Sequence, residues 1–527
     1  MAVGTVEEHT ALVAALTAAQ CFPHGVSRIE VIETHISSII LTGEYAYKLK
    51  KPVNLGFLDF TTLDARRRCC EDELRLNRRT APDLYLDVIA ISGSLENPIV
   101  GATGTAIDYA VRMRQFAPHD TLDCVLRRGG LDAACIDSLA ATIAEFHAAI
   151  GGAAAASSYG STATVRAAAI DNFEHIARLA PDPRAGAPLA GLRNWTESEF
   201  ARTQPVFAGR KMDGFVRECH GDLHLGNVAL VDARPVLFDC IEFNDSFRWI
   251  DVMNEVAFMV MDLVDHARPG LAFRFLNRYL EATGDYAGIA VLRFYLVYRA
   301  MVRAKIALIR ARQTDHSVAV TRQSLETFDE YLRLAASLAA SRPPALILTC
   351  GLSGCGKTTA AQAALEAMGA VRVRSDIERK RLHGLGSGAR TGSAPGAGPY
   401  AAQGTRATYD RLAGLARSML LAGFPVIVDA TFLHRAERQA FRELARAEGA
   451  RFLILACDAP AAVLRERILA RSRTGSDASE ATLEVLERQI AGREPLDAGE
   501  LADAVVCDTS NAARQSAAIA DLVSSFR

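Results

Sequence analysis

The chain reads Gly351-Leu352-Ser353-Gly354-Cys355-Gly356-Lys357-Thr358, and this stretch decides the fold of its second half. The pattern Gly-x-x-x-x-Gly-Lys-Thr is that of a phosphate-binding loop (P-loop), which follows a strand and opens a helix. The apolar run at residues 345–350 predicts the strand, and residues 359–368, beginning at Thr359, predict the helix. Backbone N–H groups of such a loop surround a phosphate, and the helix start adds partial positive charge. We therefore predict an ATP site formed by this loop and Thr359.

Charged residues near the loop indicate how a phosphate would be handled. Lys357 is expected to reach the β- and γ-phosphates, and Thr358 to bind Mg²⁺. Asp429 ends an apolar strand predicted at residues 425–429, the arrangement of a Walker-B carboxylate that orients Mg²⁺. The sequence thus predicts ATP and Mg²⁺ as cofactors.

A second group of polar residues distinguishes a kinase from a simple nucleotide binder. Asp376 and Arg379 follow the predicted strand 371–374, at the edge of the sheet where α/β sites assemble. Asp376 could take the proton of an attacking hydroxyl, and Arg379 could hold an acidic acceptor. Asp376 could equally be the N-cap of a solvated helix. Arg467 and Arg471 lie four residues apart on one helical face, where they could neutralise the transferring phosphoryl group or remain exposed.

These residues resemble the small P-loop kinases of the polynucleotide-kinase and gluconate-kinase type. The resemblance covers roughly residues 345–527 and implies that Asp376 is the catalytic base and Arg379 the acceptor clamp. Strands predicted at 371–374, 425–429, 452–456 and 504–507 alternate with helices, so the fold expected here is an α/β P-loop NTPase domain with a parallel sheet. Prolines at 343 and 344 predict a linker over residues 336–344.

The first half of the chain contains a different catalytic pattern. His220-Gly221-Asp222-Leu223-His224-Leu225-Gly226-Asn227 has the Asp-x₄-Asn spacing of a kinase catalytic loop, with Asp222 as base and Asn227 as a Mg²⁺ ligand. Asp239, twelve positions after Asn227, ends a predicted strand where a second metal carboxylate is expected. Upstream, Lys48 is a candidate phosphate ligand and Glu73 its candidate partner. Lys50 shares a strand face with Lys48, and Glu71 competes with Glu73, so both alternatives stay open.

This pattern resembles the aminoglycoside phosphotransferase and choline-kinase branch of the kinase fold. Strand-like alternation up to residue 114 and helical periodicity from residue 131 match its two-lobed order, so residues 1–335 are expected to form an α+β protein-kinase-like domain. The whole chain resembles bacterial fusions of such a domain with an AAA-type P-loop kinase domain, here residues 345–527. One departure is that Thr34–Ser38 replaces the glycine-rich loop expected between the first two strands.

Composition excludes several other classes of protein. The 527 residues carry a net charge of −2, so no overall basic field indicates nucleic acid or an anionic membrane as partner. The eleven cysteines form no CxxC pair and indicate a reducing compartment. Glu7 and Glu8 replace the basic start of a signal peptide, and we predict a cytoplasmic protein.

Three functions are compatible with these patterns. The first is a phosphotransferase with two kinase-type sites acting on the hydroxyl group of a small molecule. The second is a regulatory ATPase whose kinase-like half binds a ligand. The third is a 5′-hydroxyl polynucleotide kinase, which needs a basic groove, for which the candidates are Arg372, Arg374, Arg379, Lys380 and Arg381. Oligomeric state is not encoded in any of these patterns.

Overall fold

The computed structural model describes residues 2–26, 28–56, 58–179, 186–312, 318–340, 343–386, 389, 401–474 and 479–526. The chain divides into two compact units. The first unit comprises Met1–Ser138, Glu145–Ser161 and Arg210–Met259, and the second comprises Leu139–Ala144, Thr162–Gly209 and Val260–Arg527. The second unit therefore combines the P-loop region with helices from earlier in the chain. Among the described helices, none combines the length and the apolar character that a membrane crossing requires.

Fifteen strands are described, ten in the first unit and five in the second. They are β1 (Glu30–Glu33), β2 (Ser37–Leu41), β3 (Tyr45–Lys50), β4 (Tyr85–Gly93), β5 (Pro98–Val100), β6 (Ala106–Arg114), β7 (Val216–Glu218), β8 (Val228–Val231), β9 (Arg234–Leu237), β10 (Trp249–Asp251), β11 (Ala345–Cys350), β12 (Val371–Arg374), β13 (Val426–Asp429), β14 (Arg451–Asp458) and β15 (Ala504–Asp508).

The described α-helices number nineteen. They are α1 (Val6–Ala15), α2 (Leu63–Asn77), α3 (Leu122–Arg127), α4 (Ala133–Ala149), α5 (Thr162–Leu179), α6 (Gly186–Met212), α7 (Asp245–Arg248), α8 (Val252–Asp265), α9 (Pro269–Thr283), α10 (Ile289–Ala311), α11 (Val318–Ala339), α12 (Lys357–Met368), α13 (Ser375–Leu382), α14 (Ala402–Leu421), α15 (Arg435–Ala447), α16 (Ala461–Thr474), α17 (Leu483–Gly492), α18 (Ala498–Leu501) and α19 (Ala512–Phe526). Since α11 runs to Ala339, the first residues of the predicted linker are helical.

A six-stranded antiparallel sheet forms the β-rich part of the first unit, in the order β1-β2-β3-β6-β4-β5. Gly43, at φ 96°, provides the turn between β2 and β3, a conformation that glycine adopts without steric cost. Thr62 caps α2 by accepting a hydrogen bond from the Ala65 N–H. Because side chains alternate along a strand, Lys48 and Lys50 of β3 point to the same face, where α2 brings Glu73.

The P-loop region is built on a five-stranded parallel sheet in the order β12-β13-β11-β14-β15. The residues of β11 from Ala345 to Leu348 are fully buried, as expected for a strand with helices on both faces. The carboxyl ends of parallel strands meet at one edge, so the P-loop after β11 lies beside the end of β13. Arg374 and Asp429 are register partners at the ends of β12 and β13. The predicted fold class of both halves is confirmed.

Candidate active sites

The P-loop between β11 and α12 has the backbone conformation that its glycines allow. Gly351, Gly354 and Gly356 all have positive φ angles, and a Cβ atom at Gly351 would lie 2.3 Å from the carbonyl oxygen of Cys457. The Lys357 ammonium donates to the carbonyl oxygens of Gly351 (3.1 Å) and Leu352 (2.9 Å). The loop is therefore closely packed against β14. The side chain of Lys357, which is expected to bind phosphate, folds back onto the loop itself.

A cavity of about 550 Å³ opens in front of this loop. Among its lining residues are eleven that the sequence analysis proposed as nucleotide-binding, metal-binding or catalytic: Ser353, Gly354, Gly356, Lys357, Thr358, Thr359, Asp376, Arg379, Asp429, Arg467 and Arg471. Gly351 and Cys355, also predicted as nucleotide ligands, do not line the cavity. The Cys355 side chain is buried in the core beneath the loop. These two residues can therefore contribute through the backbone shape of the loop.

The carboxylate of Asp429 is placed to take part in metal binding. The Thr349 hydroxyl lies 3.4 Å from its Oδ1 atom, and Arg374 Nε lies 3.8 Å from its Oδ2 atom. Oδ2 is buried and accepts no hydrogen bond from the described part of the chain. A buried carboxylate oxygen with spare acceptor capacity, sharing a cavity with the Thr358 hydroxyl, fits a hard cation such as Mg²⁺.

Asp376 and Arg379 lie together on the first turns of α13. Arg379 Nη1 is 3.5 Å from Asp376 Oδ1, and both residues line the cavity. The N-cap of α13 is Arg374, so Asp376 is not the cap that one sequence interpretation allowed. The pair therefore points toward the cavity, where a hydroxyl and an acidic group of an acceptor could be bound.

Arg467 and Arg471 extend from α16 to the same cavity. Arg467 donates to the carbonyl oxygens of Thr509 (2.7 Å) and Gly354 (3.4 Å), and Arg471 donates to that of Ala481 (3.4 Å). Arg465, on the same helix, instead forms an exposed ion pair with Glu487. The helix thus directs two guanidinium groups toward the cavity and one toward solvent.

Several lining residues were not identified from the sequence. Gln489 of α17 accepts a hydrogen bond from the Ser353 N–H (2.8 Å), which belongs to the P-loop itself. Tyr409 and Glu437 also line the cavity. Burial raises the pKa of the Tyr409 hydroxyl above its usual range, and burial likewise raises the pKa of Glu437. No local motif marks these residues, because their helices reach the site only in the folded domain.

A second site lies in the first unit, between β3, α2 and the segment after β9. Lys48 Nζ is 2.8 Å from Glu73 Oε1 and also bonds Asp239 Oδ1. Lys50 bonds the other oxygen of Glu73 and also Glu242. Glu71 pairs with Arg67 at the surface, so Glu73 is the partner of both lysines. Lys48 is the lysine that reaches Asp239.

The ionisation of this cluster is set by its own charges. Burial would raise the pKa of Asp239, but the Lys48 ammonium outweighs it and lowers that pKa. Burial would lower the pKa of Lys48, but Asp239 and Glu73 raise it above its usual range. Asp239 has a positive φ of 65°, which is uncommon outside glycine and directs its side chain toward the lysine. Lys48 and Asp239 are therefore both charged at neutral pH.

Asp222 and Asn227 come together in the loop before β8. The Asn227 amide donates to the backbone oxygen (2.9 Å) and to Oδ2 (3.1 Å) of Asp222. The loop rests on Glu255 of α8, which accepts the N–H groups of Gly221 (2.6 Å) and His220 (3.2 Å). The sequence analysis did not identify this support.

Glu255 is fully buried and also bonded to His147, whose Nε2 lies 2.9 Å away. Burial would raise the pKa of Glu255, but the bond to His147 and the Gly221 N–H lower it to about 2. A carboxylate held ionised in this way keeps accepting both backbone N–H groups across the physiological pH range. Glu255 therefore holds in place the backbone that carries Asp222.

Two family models match the chain. The model described as "Phosphotransferase enzyme family" matches residues 126–295, and the model described as "AAA domain" matches residues 346–496. Proteins of Mycobacterium tuberculosis and Mycobacterium bovis are 30% identical to the chain over 451 residues, which is 86% of this chain and 88% of theirs. Their names assign them no activity.

Solved structures similar to each half are known. A gluconokinase from Sinorhizobium meliloti is 22% identical with a TM-score of 0.26, covering 35% of this chain and 97% of that chain. A choline kinase from Cryptosporidium parvum is 10% identical with a TM-score of 0.36, covering 63% of this chain and 96% of that chain.

Proposed function

We propose an ATP-dependent phosphotransferase function for this chain, which belongs to the family of the two mycobacterial proteins and joins a phosphotransferase-family domain to an AAA domain. The acceptor is the hydroxyl group of a small molecule. The observation that carries the proposal is the single cavity shared by Lys357, Thr358 and Asp376. Phosphate-binding, metal-binding and proton-accepting groups thus face one space.

In this proposal, different residues around the cavity have different roles in phosphoryl transfer. Lys357 binds the β- and γ-phosphates of ATP, while Arg467 and Arg471 neutralise charge on the transferring group. Thr358 and Asp429 would hold Mg²⁺, which offsets the negative charge of the phosphate oxygens when it is bound with ATP. Arg379 orients the acceptor so that its hydroxyl lies near Asp376.

In the transfer step the acceptor oxygen forms a bond to the γ-phosphorus. The bond from that phosphorus to the β,γ-bridging oxygen breaks, and ADP leaves with the electron pair. Asp376 takes the proton of the acceptor hydroxyl as the new bond forms. No other co-reactant is needed.

The geometry of the first unit supports a second phosphotransfer site as an additional candidate. Lys48 paired with Glu73 would bind phosphate, and Asp222 would take the acceptor proton. Asn227 and Asp239 would hold metal there. What favours this candidate is that all five of these residues lie in the first compact unit.

The alternative acceptors are less well supported. The basic groove needed for a 5′-hydroxyl polynucleotide is weakened because Arg372 and Lys380 are buried in ion pairs with Glu281 and Glu480. A polycationic aminoglycoside needs free carboxylates, but Glu242 and Asp251 are buried and paired with Lys50 and Arg210, respectively. A small, weakly charged or acidic hydroxyl compound therefore fits best.

The test is ATP consumption by the full-length protein, alone and with sugars, nucleosides, amino alcohols, aminoglycosides and 5′-hydroxyl oligonucleotides. Each assay is repeated with Lys357→Ala and Asp222→Ala, with Arg465→Ala and Asp64→Ala as exposed controls. If one of these two variants loses acceptor-dependent turnover while the controls keep it, the site that contains the substituted residue is the working site. Turnover that is independent of every acceptor would favour the regulatory ATPase instead.

A further inference from the structure

Four charged side chains are buried together at the wall of the P-loop cavity, two of which, Arg374 and Asp429, line it. Arg372 Nη2 lies 2.6 Å from Glu281 Oε1, and Arg374 Nη1 lies 3.7 Å from Glu281 Oε2. Arg374 Nε in turn lies 3.8 Å from Asp429 Oδ2. Two positive and two negative charges thus form a continuous cluster that ends at the carboxylate proposed to serve Mg²⁺.

Glu281 comes from outside the segment that matches the AAA domain. It lies on α9, within residues 126–295, whereas the AAA match begins at residue 346. The same helix also holds β12 through Asn277, whose Oδ1 accepts the Arg372 N–H (2.6 Å) and whose amide donates to the Ala370 carbonyl oxygen (2.9 Å). The position of Glu281 relative to β12 is therefore fixed by hydrogen bonds from the Asn277 side chain to the backbone of residues 370 and 372.

Both arginines connect Glu281 to groups proposed to bind metal. Arg372 Nη1 donates to the carbonyl oxygen of Thr358 (3.2 Å), and Arg374 contacts Asp429. Arg374 lies at nearly the same distance from the carboxylates of Glu281 and Asp429, so the two compete for one cation. If Glu281 lost its charge, Arg374 would be drawn more strongly to Asp429 and would reduce the attraction of that carboxylate for Mg²⁺.

We propose that Glu281 is a positioning residue of the P-loop site, which holds Arg372 against Thr358, draws Arg374 away from Asp429 and so sets the Mg²⁺ affinity of the nucleotide complex. The proposal rests on the proposed function in that Thr358 and Asp429 are taken to hold the metal of bound ATP. The P-loop site then extends into α9, beyond the segment recognised as an AAA domain.

The test compares Glu281→Gln with Glu366→Gln in the full chain. Glu366 is a matched control, because it lies on α12 and pairs with Arg274 of the same helix α9 (3.0 Å) but does not line the cavity. Binding of a non-hydrolysable ATP analogue is measured by calorimetry over a Mg²⁺ titration, together with thermal unfolding. Glu281→Gln should raise the half-saturating Mg²⁺ concentration by about fivefold or more, and Glu366→Gln should leave it unchanged.

Arg374→Gln should shift the half-saturating Mg²⁺ concentration in the opposite direction from Glu281→Gln. Removing the cation that competes for Asp429 should lower the half-saturating Mg²⁺ concentration, and the double variant Glu281→Gln/Arg374→Gln should lie nearer the wild type. The double variant also keeps the buried cluster neutral, so it remains informative if Glu281→Gln does not fold. A purely structural role would lower the unfolding temperature in Glu281→Gln without moving the Mg²⁺ midpoint.

Two outcomes separate this proposal from the proposed function. If Lys357→Ala binds the analogue as tightly as the wild type, the nucleotide site itself is misassigned. If Lys357→Ala loses binding while the Mg²⁺ midpoints of Glu281→Gln and Arg374→Gln match that of Glu366→Gln, the role of Glu281 is overturned and the nucleotide site stands.

Discussion

Lys48 Nζ lies 2.8 Å from Glu73 Oε1, and both side chains are buried between β3 and α2. Lys50, two residues further along the same face, bonds the other oxygen of Glu73. Glu73 therefore forms an ion pair with both lysines. The two lysines differ in the second carboxylate that each one contacts. Lys48 reaches Asp239, which is partly exposed, whereas Lys50 reaches Glu242, which is buried.

This difference predicts different consequences for the two lysine substitutions. Lys48→Met should abolish the ATP turnover that depends on Asp222, with a small change in stability. Lys50→Met leaves Glu242 buried without its cation and should lower the free energy of unfolding by about 3 kcal/mol or more. Urea unfolding and turnover measured on both variants check this. Equal destabilisation with equal loss of turnover would contradict the division of roles.

Asp376→Asn should separate chemistry from binding at the P-loop site. The variant keeps the size of the side chain but cannot take a proton, so kcat should fall by about 10²-fold or more while the Kd for ATP stays the same. Steady-state kinetics and calorimetry with the identified acceptor measure the two quantities. Arg379→Ala should act on the KM of the acceptor, and a change confined to the KM of ATP would show that the pair serves the nucleotide.

The arginines of α16 offer a comparison within one helix. Arg471→Ala should reduce kcat by about 10²-fold, because it removes a cation that lines the cavity proposed to hold the phosphates of ATP. Arg465→Ala should have little effect, since its pair with Glu487 is exposed. Parallel measurement of kcat in the two variants checks this. Equal effects of both substitutions would mean that α16 contributes through its fold alone.

The stability of the first unit should depend on the ionisation of Glu255. Its pKa is about 2 in the folded chain against 4.5 for an ordinary glutamate, so its contribution is complete above pH 4.5 and is lost as the pH falls toward 2. Glu255→Gln should therefore lower the free energy of unfolding by about 3 kcal/mol at pH 7. Urea titrations at several pH values should show the difference from wild type shrinking below pH 4.5. A constant difference over that range would contradict the pKa assignment.

Much of the fold follows from patterns that are local in the sequence. The bounds of β11 and β12 agree with the strands predicted at residues 345–350 and 371–374. The P-loop and the Asp-x₄-Asn loop are continuous motifs, so their residues were found without knowledge of the tertiary structure. Their catalytic roles stay predictions.

The supporting residues could not be predicted because their partners are distant in the sequence. Glu255 accepts the Gly221 N–H across 34 positions, and Glu281 pairs with Arg372 across 91 positions. A glutamate within a largely apolar helix such as α8 is a signal, but periodicity alone does not say which cation or N–H group it meets. The choice between Lys48 and Lys50 stayed open in the sequence analysis for the same reason, since both have the same strand phase.

The packing of α9 against β12 and α12 also constrains how such a chain can evolve. A Cβ atom at Gly369, which ends α12, would lie 2.9 Å from the Phe273 ring of α9, so the two helices are fitted to each other at the atomic level. A P-loop segment transplanted from an unrelated gene at Pro343 would carry its own β12 and α12 and would meet a helix shaped for different neighbours. We expect successful recombination in this lineage to break before α9, so that Asn277, Glu281 and the P-loop are inherited together.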